Sequence, residues 1–130
     1  MVPNNFVDLA AIALVAILIV LAVFQIALAA GAPFGHFAWG GQHRVLPIRQ
    51  RVGSVASVAI YSVIAAVALD RAGQIDIVLE PISRVGMWVV FGFFTLSIVG
   101  NLMSRSRVER FVMVPATALL GATSLVVALS

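Results

Sequence analysis

Four long apolar stretches, interrupted only by small or weakly polar residues, set the pattern of this chain. They run from about 9 to 30, 53 to 69, 85 to 103 and 111 to 129. A membrane-crossing helix needs about 17–25 mostly apolar residues to traverse about 30 Å of hydrocarbon, and all four stretches qualify. Apolar residues occupy every helical face and strict alternation is absent, so the spacing predicts helices and not barrel strands. The expected fold is all-α: a four-transmembrane-helix bundle, built as two consecutive hairpins in one integral membrane domain covering 1–130.

Helix punctuation agrees with that parse. Asn5, with Asp8 three residues later, offers a cap and an acid for the first helix. Pro47 suits the first helical position, so the second helix is expected to begin there, with Arg49 and Arg51 snorkelling into the headgroup layer. Ser83 is a candidate cap for the third helix, and Ser106 with Glu109 forms a capping-box pattern ahead of the fourth. Pro115 follows early in that last helix, where it is tolerated or produces a mild kink.

Composition turns the pattern into a statement about solvent. Of 130 residues, 62% are hydrophobic and 10% charged, whereas a soluble domain carries about 25% charged residues. Five acids and eight Arg cannot coat a domain of this size, so its flanks face lipid. Disorder and a nucleic-acid-binding role are excluded on the same ground. With no cysteine, disulfides, thiol catalysis and cysteine-held clusters are excluded as well.

Charge sets the orientation. The connection over 31–52 carries Arg44, Arg49 and Arg51 and no acid, while that over 104–110 carries Arg105, Arg107 and Arg110 against Glu109. The connection between them (70–84) holds Arg71 and Arg84 against Asp70, Asp76 and Glu80. Six Arg against two place the first and third connections in the cytoplasm and both termini on the outer side, in a bacterial inner membrane. Phe34, Phe37, Trp39 and Phe111 then fall at the cytoplasmic interface and Trp88 at the outer one. Ala27-Leu28-Ala29 resembles a signal-peptidase site, but the preceding segment has Asp8 and no Arg or Lys, so the first span is expected to stay uncleaved.

No Asp, Glu, Lys, Arg or His falls within the core of any predicted span, which argues against a proton-coupled transporter. The spans instead carry small residues. Ser54, Ser57, Tyr61, Ala65 and Ala68 share one face of the second, while Gly53–Ser57 and Thr117–Gly121 have the spacing of close helix packing. The primary reading of these residues is a tightly packed interior. The sharper one is that Gln25, Ser57, Tyr61 and Asn101 line an intramembrane polar pocket for a lipid or quinone head.

The one segment rich in chemistry is the first connection, GAPFGHFAWGGQHRVLPIRQR, which is longer than the two to eight residues usual between helices. Three readings compete for it. In the first, Arg44, Arg49 and Arg51 attract an anionic headgroup, His43 and Gln42 supply directional hydrogen bonds, and Gly40-Gly41 allow close approach. In the second, His36 and His43, with Trp39 nearby, ligate haem or a metal, although no third ligand is at hand. In the third, His43 is a general base, with no carboxylate to orient it. Arg residues that merely fix topology account for the same charges.

The run Ala38-Trp39-Gly40-Gly41-Gln42-His43-Arg44-Val45-Leu46-Pro47, with Arg51-Val52-Gly53-Ser54 and the later Ser104-Arg105-Ser106-Arg107-Val108-Glu109-Arg110, resembles a group of small four-helix bacterial integral membrane proteins. The resemblance implies a standalone four-span protein whose first connection is its distinctive part, and it brings no activity with it. The leading expectation is a small non-enzymatic membrane protein, an accessory subunit or a lipid-interacting module working through residues 31–52. Its expected partners are membrane lipid and either further copies of itself or a larger membrane complex; neither cofactor nor nucleic acid is expected. A small oligomeric transporter or channel, and a haem- or quinone-linked redox protein, are the alternatives.

Overall fold

The computed structural model describes residues 4–130, and among these residues it is helical with no strand. Four helices cross the length of the molecule: α1 (Asn4–Ala29), α2 (Ile48–Arg71), α3 (Glu80–Leu102) and α4 (Arg107–Ala128). Each is long and apolar enough to cross a membrane, which makes the chain a multi-pass membrane protein. The helices run up and down in chain order, α1 against α2, α2 against α3 and α3 against α4, and α1 packs on α4 to close the ring.

All four helices start about a turn before the predicted spans. Charged first turns such as Ile48-Arg49-Gln50-Arg51 lie in the interfacial layer, where Arg side chains reach water, so the helix outlasts its apolar stretch. Two caps differ from expectation, by one residue at α2 and by four at α3. Pro47 is the N-cap of α2 and not its first helical residue. Ser83 does not cap α3: Leu79 holds that position, Pro81 follows in the first turn, and Ser83 is buried inside the helix with its hydroxyl on the Glu80 carbonyl at 3.0 Å. Proline's fixed φ suits the first turn, which moves the helix start ahead of the serine. Asn5 lies within α1, its side chain accepting from the Phe6 amide at 3.0 Å. The fourth helix runs unbroken through Pro115.

A core of Leu14, Leu18, Ile64, Met87, Phe94, Leu120 and Val127 fills the centre and the half away from the first connection. Small residues let the helices close around it: Gly121 stands where an added Cβ would sit 3.6 Å from Ile98, and Ser54, Ala68 and Ser124 are fully buried. At the end bearing both chain termini the bundle is tied by polar contacts. Asp70 accepts from the Ile77 and Val78 amides at 2.8 Å each, Gln74 donates to Asp8 at 2.9 Å, and Arg84 pairs with Glu80.

Candidate functional site

The first connection folds back onto the bundle mouth. Its two short 3-10 turns, Gly35–Phe37 and Trp39–Gly41, place Phe37, Ala38 and Trp39 over the helix ends, and Ala38 packs with Leu28 and Leu46 in a small buried cluster. Three contacts hold it there. The Gly35 amide donates to the Arg44 carbonyl at 2.8 Å, Arg51 Nε donates to the Leu46 carbonyl at 2.8 Å, and the Ser106 hydroxyl donates to the His36 carbonyl at 2.8 Å. Ser106 also accepts from the Glu109 amide at 3.2 Å as the N-cap of α4, so one hydroxyl caps a helix and ties down the connection.

Glycine makes this packing possible at two points. A Cβ on Gly41, whose φ is +71°, would lie 2.4 Å from Ser106 Cβ, and one on Gly53 would lie 2.6 Å from the Trp39 ring. The indole therefore packs against α2 at Gly53, and its Nε1 donates to Ser54 at 3.3 Å.

Beneath the connection lies a cavity of about 380 Å³. Gln25, Ser57, Tyr61 and Asn101, which sequence spacing proposes as an intramembrane polar pocket, all border it, and so do Thr117 and Glu109. Gln25 Nε2 reaches the Tyr61 hydroxyl at 3.5 Å, and Asn101 Nδ2 reaches Thr117 Oγ1 at 3.5 Å. Leu21, Ile60, Phe93, Phe94 and Met113 supply apolar wall, and Trp39 and Phe37 form the roof. On the far side α2 and α3 are close, since a Cβ on Gly86 would sit 3.2 Å from Val67. Towards the connection they part: a Cβ on Gly100 would meet nothing, and the wall residues Ile60 and Phe93 are 47% and 44% exposed. The cavity wall is thus thinnest on the α2–α3 side, at Ile60, Phe93 and Gly100.

The residues proposed on the connection itself divide in two. Trp39 borders the cavity. His36, Gln42, His43, Arg44 and Arg49 are exposed and do not line it, and Arg51 is held against Leu46 and the Gly31 turn. Among the described residues no cluster of three His, Cys, Asp or Glu exists.

One cavity residue escaped the sequence reading. Glu109 reads as the acid of a capping box, but its carboxylate does not return to the Ser106 amide, which donates instead to Ser104 Oγ at 3.1 Å. Glu109 is 6% exposed and faces the cavity. The available signal was its register: Glu109, Met113, Thr117 and Leu120 follow one α4 face at helical spacing, and that face looks inward.

Compared with known protein families, curated sequences and solved structures, the chain matches none.

Proposed function

We propose that this chain is a small non-enzymatic membrane protein that holds one amphiphile in the cavity under its first connection, as a lipid-interacting module or an accessory subunit of a bacterial inner membrane. The observation that carries this reading is a mostly apolar cavity with a few polar groups in its wall, thinly covered at Ile60 and Phe93 on the flank of the bundle. Ligand sites are typically concave and mostly apolar with a few convergent polar groups, as here. A molecule dissolved in the bilayer reaches such a site along the membrane, its tail between α2 and α3 and its head among Gln25, Tyr61 and Asn101.

The six-to-two distribution of Arg supports a cytoplasmic position for the connection and external termini. Arg44 and Arg49 then contact anionic headgroups at the surface and fix topology. Packing favours holding over conduction, because beyond Tyr61 the described interior is filled by the apolar side chains of Leu14, Leu18, Ile64 and Met87.

Native mass spectrometry of the chain released from mild detergent tests the proposal. One amphiphile per chain is expected, retained by an Arg44→Ala/Arg49→Ala variant and lost from Ser97→Phe, whose ring would occupy the thinly covered side of the cavity. A chain that flies bare under conditions where annular lipid is retained elsewhere contradicts it.

A further inference from the structure

The hydrogen-bonding groups around the cavity are unbalanced. Most of its donors are engaged within the protein: Gln25 Nε2 on Tyr61, Trp39 Nε1 on Ser54, Asn101 Nδ2 on Thr117, and the hydroxyls of Ser57, Ser97 and Thr117 on the carbonyls of Gly53, Phe93 and Met113. The Tyr61 hydroxyl, by contrast, accepts from Gln25 and keeps its own proton free. Two acceptors are also free. Gln25 Oε1 is buried without a partner. The Glu109 carboxylate, on a residue 94% buried by its 6% exposure, accepts no hydrogen bond and makes no ion pair among the described residues.

No Arg or His lines the cavity to pair with that carboxylate. Arg110, adjacent in sequence, directs its guanidinium to the Ser104 carbonyl. A buried polar group without a partner is costly, as Gln25 Oε1 is, while the Glu109 carboxylate keeps access to the cavity and is free to meet an occupant. Glu109 sits in the first turn of α4, where the helix dipole favours negative charge. Trp39, Phe37 and Phe93 border the same space, and aromatic rings attract cations.

We infer that the amphiphile is a lipophilic ammonium ion, with Glu109 as its counter-charge and its tail in the gap between α2 and α3. This rests on the amphiphile-holding reading above and specifies its head. A neutral head such as an alcohol or a quinone can meet the Tyr61 hydroxyl but leaves the Glu109 carboxylate without a partner of opposite charge.

The test uses the full chain carrying Trp88→Phe, in neutral maltoside micelles, so that Trp39 in the cavity roof is the lone indole. Dodecylammonium and dodecanol, which share a tail, are titrated while Trp39 emission is read. The ammonium ion is expected to saturate the change at least about tenfold more tightly than the alcohol, the scale of a desolvated charge pair. Glu109→Gln is expected to bring the two within about twofold of each other, and Glu109→Asp to keep the preference. The melting transition of each variant shows that it is folded; if Glu109→Gln does not fold, the preference in the parent and in Glu109→Asp decides the matter. Equal saturable binding of both probes, or a preference that survives in folded Glu109→Gln, overturns the ammonium assignment and leaves the cavity reading standing. No response to either probe overturns both.

Discussion

Gly35→Ala is expected to lift the first connection off the bundle and to destabilise the protein by about 2–4 kcal/mol. A Cβ at this position would lie 1.9 Å from the His43 carbonyl oxygen and 2.9 Å from that of Arg44. Both obstacles are backbone atoms, so no side chain can turn away to make room. The strand of chain from 43 to 44 must move, and the 2.8 Å bond from the Gly35 amide to the Arg44 carbonyl goes with it. Overpacking of this kind costs about 1–3 kcal/mol and the lost hydrogen bond about 1 kcal/mol more. Gly40→Ala is the matched control. Its φ is +76° but an added Cβ there meets nothing within 4 Å, so only backbone strain of about 1–2 kcal/mol is expected. Thermal melting in detergent ranks the two, and Trp39 emission should shift to the red in Gly35→Ala as the indole leaves its bed on Gly53. Equal melting of Gly35→Ala and the parent would show that the connection is not packed as described.

Phe94→Ala carries the second large effect. Phe94 is 2% exposed and packs within the central core while also forming cavity wall. In a water-soluble core such a truncation costs about 3–5 kcal/mol, of which part is transfer of the ring out of water. Here the separated helices remain in hydrocarbon, which is as apolar as the core, so that part largely cancels. Lost contacts and the new void remain, for an expected cost of about 2 kcal/mol. The enlarged cavity should also admit bulkier amphiphiles. Phe111→Ala, at a residue 86% exposed on the flank, is expected to stay within about 0.5 kcal/mol of the parent. Denaturant titration in mixed micelles measures both, and a Phe94→Ala cost no larger than that of Phe111→Ala would contradict the packing.

These effects separate what the sequence declares from what it conceals. Helix number and class follow from apolar run length, a local property, and the four helices lie where the runs are. Their starts lie about a turn further out, as where Arg49, Arg51 and Arg107 belong to helices while their charges belong to the interface, and their ends fall within two residues of the runs. Gln25, Ser57, Tyr61 and Asn101 are legible as a group because polar side chains in hydrocarbon must turn inward, and inward of four helices is one place. The connection is another matter. Its position is fixed by contacts between distant residues, Gly35 with His43, Gly41 with Ser106 and Trp39 with Gly53, and no periodicity records them. Its Arg and His residues attract attention in sequence, yet the structure turns them outward and brings Phe37, Ala38 and Trp39 to the cavity. Glu109 shows the same effect in reverse: a local motif explains it so well that its burial is invisible until Ser104 is seen to hold the amide that it was expected to cap.

The thin α2–α3 side of the cavity is the feature on which the functional account turns, and photo-crosslinking in native membranes probes it most directly. Benzoylphenylalanine would replace Phe93 on that side and, in a second variant, Leu119, which is 57% exposed on α4. The account predicts a single dominant amphiphile adduct at position 93 and the bulk phospholipid mixture at position 119. The same mixture at both positions would mean that no molecule is selected there.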